Sequence, residues 1–178
     1  MAKREGLRGL KTRLAERLQQ AQSQGVIASW LAVEAGDFKF LLPLELAGEI
    51  FSPAAAQKVP YALPWFAGVA NLRGGLYGVV DLSAFLGGVP VANKLLAESA
   101  RQDARYIAFN AILEVNSALL VSRLVGLRNT RDYVRVEPAP ENASDFLGAV
   151  YYDAAGQGWQ ELNLQALATA TNFLMIGS

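Results

Sequence analysis

The stretch VANLRGGLYGVVDL, residues 69–82, decides the fold. A strand-like apolar approach ends in Asn71-Leu72-Arg73-Gly74-Gly75, and a second, β-branched run, Leu76 to Val80, ends on an acid, Asp81. Two such runs split by Gly-Gly predict a hairpin. Arg73 stands at the shoulder of its turn. Beyond Asp81, Leu82 to Leu86 reads as a short helix closed by Gly87-Gly88, which makes Asp81 its N-cap. Asn71 is a turn residue whose side chain satisfies backbone groups.

Outward from the hairpin, the same succession of strand, turn, strand and short helix returns. GVANLRGGLYGVVDLSAFLG (68–87) is echoed by LGAVYYDAAGQGWQELNLQALA (147–168). Further strands are predicted at Trp30 with the run LAVEA, at Phe38 to Leu42 after a Gly36-Asp37 turn, and within Leu44 to Phe51. A proline-rich loop, residues 52–64, reaches the hairpin through Trp65-Phe66, and a polar, Ala-rich connector spans 90–103. Tyr106 to Leu113, Ser117 to Leu127, Tyr133 to Val136, Phe146 to Tyr152 and Trp159 to Leu162 read as strands, and Asn163 to Thr169 as a helix. Short strands at this spacing indicate an all-β barrel or sandwich in two lobes.

Before residue 26 the period is different. Leu7, Leu10, Leu14 and Leu18 lie on one helical face, so residues 5–23 read as an amphipathic helix. The predicted organisation is therefore a helix over 1–25 and a β domain over 26–178. The helix carries six basic residues and two acidic ones, and three roles stay open for it: docking on the body, filling a partner groove, or lying on an anionic membrane.

Composition removes most chemistry. Sixteen basic residues balance sixteen acidic ones, so no overall field draws the chain to nucleic acid. There is no Cys and no His, which excludes disulfides, Cys/His zinc sites, thiol nucleophiles and imidazole triads. No phosphate loop, nucleophile elbow or calcium loop is present. No metal or other cofactor is expected. The one catalytic idea pairs Asp81 with Glu49, and nothing else in the sequence supports it. No apolar run reaches membrane-spanning length and no leader of secretory form is visible, so a soluble cytoplasmic protein is expected.

These residues match a family pattern. The chain resembles the CheW-like adaptors of bacterial chemosensory systems, and within them the PilI-type branch associated with type IV pilus twitching motility. The matching pieces are WLAVEAGDFKFLLPLELAGEIF (30–51), PWFAGVANLRGGLYGVVDLSAFLG (64–87), RYIAFNAILEVNSALLVSRLVGLR (105–128) and FLGAVYYDAAGQGWQELNLQAL (146–167). The resemblance implies a mainly β fold of two intertwined, five-stranded SH3-like barrel lobes with short helices. It also implies a non-catalytic adaptor that bridges a chemoreceptor cytoplasmic tip and the regulatory domain of a CheA-type histidine kinase in membrane-associated arrays.

Carried over residue by residue, Glu49 and Arg73 match a pair that borders the family's receptor groove, and Asn71 and Gly74 match its turn. Ala47, Ile50 and Leu124 fall where members line apolar contact surfaces, and Asp81 matches the acid at the strand end. Three departures stand out: Gly78 for the usual Pro, Ser83 for an Arg or polar residue, and Ser122-Arg123 for Val-Asp. As structure alone, an exposed Arg73–Glu49 pair adds at most about 1 kcal/mol; as a partner groove it gains from desolvation on binding. Trp30, Trp65 and Trp159 read as core, with Trp65-Phe66 as the pair most suited to an exposed anchor. The competing class is a small-molecule-binding barrel or cryptic hydrolase, which predicts a concave pocket of converging polar groups. A CheW-like domain serving a different protein partner is the remaining alternative.

Overall fold

The computed structural model describes residues 29–178, so the expected helix over 1–25 lies outside the described residues. Eleven strands follow: β1 (Trp30–Ala35), β2 (Phe38–Pro43), β3 (Ala47–Phe51), β4 (Phe66–Leu72), β5 (Gly75–Asp81), β6 (Arg105–Phe109), β7 (Ser117–Val121), β8 (Arg123–Arg128), β9 (Arg135–Glu137), β10 (Leu147–Tyr152) and β11 (Gly158–Leu162). They form a six-stranded sheet, β8-β1-β2-β11-β10-β9, and a five-stranded sheet, β3-β6-β7-β5-β4. The chain opens in the larger sheet, makes every strand of the smaller one, and returns. The expectation of five strands in each lobe is met in one sheet and exceeded by β9 in the other.

The echo in the sequence is a topological repeat. In each sheet an antiparallel hairpin (β4–β5, β10–β11) lies parallel, through its second strand, to a strand of another hairpin (β7, β2). The edge strands β3 and β8 complete the match. Each unit ends in a short helix capped by a side chain: Asp81 accepts from the Ala84 N–H at 3.2 Å, and Asn163 from the Ala166 N–H at 3.0 Å.

One apolar core joins the sheets. Leu31, Val33, Phe40 and Leu42 of the larger sheet pack in the same cluster as Val79, Ile107, Leu119 and Val121 of the smaller. Burying one such side chain is worth roughly 1.5–3 kcal/mol, so the two lobes share their largest stabilising term. A second cluster on the other face of the larger sheet contains Trp30, Ala32, Leu41, Tyr133, Tyr151 and Trp159. There the Trp30 indole donates to Glu161 Oε2 at 2.7 Å. Among the described residues the Tyr133 hydroxyl is buried without a partner, and burial raises its pKa above the ordinary tyrosine value.

Several sequence expectations are corrected. Ser117 to Leu127 is two strands in two different sheets, because Ser122 turns the chain between them. Its N–H donates to Glu34 O at 2.7 Å, and its Oγ accepts from the Gly36 N–H at 2.9 Å. Tyr106 to Leu113 ends as a strand at Phe109, where the Asn110 side chain caps a 3₁₀ turn, Ala111–Leu113. Tyr133 to Val136 shifts to β9 behind a 3₁₀ turn, Thr130–Asp132, which carries an Asn129/Asp132 capping box. The connector contains two short helices, Val91–Lys94 and Glu98–Asp103. Trp65 and Phe66 are half-buried rather than exposed. Trp65 packs on Phe66, Phe85 and Phe173 with centroids 5.0–6.4 Å apart.

Candidate functional site

Register fixes the hairpin tip. Leu72 pairs with Gly75, so the loop is the two residues Arg73 and Gly74, not Gly74-Gly75, and Gly75 opens β5. Both loop residues have positive φ, +49° and +82°, the condition for a type I′ turn that matches strand twist. For Gly74 this costs nothing sterically; for Arg73 the left-handed backbone costs roughly 1–3 kcal/mol. Asn71 Oδ1 accepts the Gly74 N–H at 3.0 Å, the turn role expected of it.

That strained backbone aims Arg73 across the lobe. Its guanidinium forms an ion pair with Glu49 on β3 and lies 5.9 Å from the Phe51 ring centroid. Phe51 in turn meets Tyr77 of β5 at 6.1 Å. In strand order β3 and the β4–β5 hairpin are opposite ends of the five-stranded sheet, so these contacts show that the sheet curls until its ends meet. The junction is open to solvent, with Arg73 and Glu49 side chains 76% and 46% exposed. Exposed Ile50 on β3 and exposed Leu76 on β5 add apolar area.

Of the residues singled out from sequence, Glu49, Arg73, Asn71, Gly74 and Ile50 therefore lie on this curl, and half-buried Ala47 starts the same strand, opposite Phe109. Leu124 sits elsewhere. It is on β8 in the other sheet, opposite Val33, and packs half-buried against the shared core. Leu76 and Phe51 were missed by sequence reading. Leu76 carries a signal in principle, since a large aliphatic residue one position past a Gly-Gly tip falls opposite the polar Asn71.

Asp81 belongs to the frame and not to the surface. It is buried, and its second oxygen accepts the Ala92 N–H at 2.9 Å, tying the connector to the end of β5. With Asp81 bound to backbone amides and Glu49 paired to Arg73, the two carboxylates are engaged separately, and the catalytic idea that joined them loses its geometry.

The departures from the family pattern have local causes. The Gly78 N–H donates to Asn116 O at 2.9 Å, a bond that proline lacks, and a Cβ there would lie 3.0 Å from the Phe66 ring. Ser83 is fully buried and donates to Val89 O at 2.7 Å. Gly36 and Gly88 close on it, a Cβ at either falling within 2.4 and 2.7 Å of its Oγ, so no longer side chain fits. Arg123 donates twice to Glu34, at 3.0 and 3.1 Å, and Lys39 donates to the same carboxylate at 2.7 Å. Chiefly through the Arg123 bond, the Glu34 carboxyl is held below its ordinary range.

Elsewhere an open depression of about 480 Å³ is lined by Ser144, Asp145, Phe146, Thr169, Thr171 and Asn172, among others. It is loop and helix-end surface, without the buried convergent polar groups that a small-molecule site needs. Among the described residues no group of three or more acidic side chains is placed to hold a metal, and no helix is long and apolar enough to cross a membrane.

Two interlocked sheets around one core, with the ends of the smaller sheet meeting in an open ion pair, make this a two-lobed β scaffold. Its likeness to solved structures is of the same kind. The scaffolding protein TtCheW from Thermoanaerobacter tengcongensis superposes with a TM-score of 0.64 at 17% identity, over 85% of this chain and 100% of that one. At that identity the likeness shows the fold alone. The family model for the CheW-like domain matches residues 29–172. The chain belongs to the CheW-like domain family, whose members are non-catalytic scaffold proteins of chemotaxis-type signalling. No curated protein matches the sequence.

Proposed function

We propose that this chain is an adaptor that holds a chemoreceptor cytoplasmic tip and the regulatory domain of a CheA-type histidine kinase together. The observation that carries this reading is the Arg73–Glu49 junction, a charged and apolar surface kept open at the cost of backbone strain in the turn that presents it. Strain at an exposed, otherwise unremarkable hairpin tip points to selection for presentation and not for stability. Ala47, Ile50, Asn71, Gly74 and Leu124 contribute to the same docking role, the last from the second lobe.

The finer parts of the reading are a division into a helical segment over 1–25 and a domain over 26–178, a curl of each lobe in the manner of an SH3-like barrel, and a place in the PilI-type branch serving type IV pilus twitching motility. The protein would work in the cytoplasm, associated peripherally with inner-membrane receptor arrays, without cofactor or nucleic acid. Calorimetric titration of the full chain with a CheA-type regulatory domain, and separately with a receptor-tip fragment, tests it. Saturable binding to both is expected; binding to neither overturns the adaptor reading.

A further inference from the structure

One aromatic side chain stands apart from all the others. Tyr61 is 86% exposed, whereas every other aromatic residue among the described ones is buried or half-buried. Its backbone is as unusual as its ring. Val59, Pro60, Tyr61 and Ala62 form a turn closed by the Ala62 N–H to Val59 O at 3.3 Å, and Tyr61 holds φ at +59°. Proline followed by a positive-φ residue is the type II pattern, whose third place ordinarily takes glycine or asparagine. A tyrosine there carries backbone strain that burial of its ring does not repay.

The surroundings hold that conformation in place. Pro60 fixes its own φ. The Ser178 N–H and Oγ both donate to the Tyr61 carbonyl, at 2.9 and 3.0 Å, and the Leu63 N–H donates to Ile176 O at 2.7 Å. The same tail carries exposed Leu174 and Met175 up to this turn. Two of the other non-glycine residues with positive φ have local reasons for it. Asn142 is a type that tolerates the left-handed region, and Glu114 caps the 3₁₀ turn, Ala111–Leu113. The third is Arg73, at the docking junction.

Tyr61 and Arg73 mark opposite ends of one hairpin. Gln57 bridges Val69 in the antiparallel sense, so the chain from 57 to 61 runs toward the start of β4 and away from the tip. The length of β4, at about 3.3 Å per residue, separates the two ends by roughly 20 Å. An adaptor that holds two proteins at once needs two surfaces that do not overlap. We infer that Tyr61 is the anchor of a second docking surface, taken by the kinase regulatory domain while the receptor tip occupies the Arg73 junction. This rests on the adaptor reading. The partner chemistry is a protein surface with an apolar pocket of phenol size and one polar group at its floor, since the ring offers apolar area and the hydroxyl a single polar contact. A ring held in place before contact loses little freedom on binding, and that gain offsets the strain.

Calorimetric titration of the full chain with the regulatory domain and with the receptor-tip fragment, together with thermal unfolding, tests this. Tyr61→Asn removes the ring and relieves the strain. It should weaken binding of the regulatory domain at least about tenfold, leave receptor-tip binding unchanged and raise the melting temperature by about 2–4 °C. Weaker binding by a more stable chain separates an anchor from a fold defect. Tyr61→Phe keeps the ring and the backbone, and should retain most of the binding at an unchanged melting temperature. Regulatory-domain binding by Tyr61→Asn equal to that of the unmodified chain overturns the inference and leaves the adaptor reading standing. So does a loss that extends to the receptor tip, a lowered melting temperature, or self-association of the unmodified chain in sedimentation that Tyr61→Asn abolishes. An unmodified chain that binds the receptor tip but not the regulatory domain overturns it as well. Binding to neither protein overturns the adaptor reading, and this inference with it.

Discussion

Two exposed Arg–Glu pairs, one in each sheet, are alike in chemistry and differ in what they join. Arg135 and Glu137 sit two residues apart on β9, on one face of one strand, and the Arg135 guanidinium stacks 3.9 Å from the Tyr152 ring. Arg73 and Glu49 come from opposite ends of a five-stranded sheet and meet only because the sheet curls and the turn holds Arg73 at positive φ. The first pair is local and self-contained. The second is positioned by the whole lobe and presents its charges to solvent beside exposed Ile50 and Leu76. The hairpin tips differ in the same way. Asp153 binds its own β10–β11 turn, accepting from Gln157 and Ala155 amides and the Trp159 indole, and these bonds, the Gln157 one foremost, hold its carboxyl below the ordinary range. The tip of the smaller sheet spends its Arg across the lobe instead.

The sharpest challenge to a contrast between lobes is their shared core. Leu119→Ala in the smaller sheet and Leu162→Ala in the larger, both fully buried, should each lower stability by about 2–5 kcal/mol. Because both belong to one cluster, a single unfolding transition should move in both variants. Two separate transitions in denaturant, followed by near-UV and far-UV circular dichroism, would show that the lobes are independent.

The helix caps separate the repeats more finely. Asp81 is buried and binds two amides, whereas Asn163 is exposed and binds one. Asp81→Ala should cost about 2–3 kcal/mol by stranding buried donors, and Asn163→Ala about 1 kcal/mol. Equal losses would mean that the tie to Ala92 contributes nothing.

A smaller effect depends on pH and belongs to the larger sheet alone. Glu34 has a depressed carboxyl pKa in the folded state, so its contribution is present above the unfolded value near 4.5 and is lost as pH falls through the folded value. The stability gap between the unmodified chain and Glu34→Gln should therefore be full at neutral pH and close in acid below that value. A gap independent of pH would remove the Arg123 and Lys39 bonds as its cause.

How much of this was legible in the sequence follows from the range of each interaction. The β4–β5 hairpin, the Asp81 cap and the repeat around β10–β11 rest on neighbours within about a dozen residues, and their signals are local. The tip was misread by one position because Gly74-Gly75 is the stronger turn signal, while the observed register places an arginine in the left-handed region. Ser122 was hidden inside an unbroken apolar stretch, since what bends the chain there is the β1–β2 corner, 86 residues away at Gly36. Glu49 and Arg73 could be paired only through the family resemblance. Nothing local in either segment says that the two ends of a sheet will meet.

The smallest effect on stability carries the largest claim. Arg73→Glu and Arg135→Glu should each change unfolding free energy by about 1 kcal/mol or less, as exposed pairs do. Their effects on docking should diverge, and calorimetric titration of each full-length variant with the receptor-tip fragment measures it directly. At least about tenfold weaker binding is expected for Arg73→Glu, recovered in part by Glu49→Arg in the same chain, and unchanged binding for Arg135→Glu. Equal binding by Arg73→Glu and the unmodified chain would contradict the assignment of this junction as the docking surface.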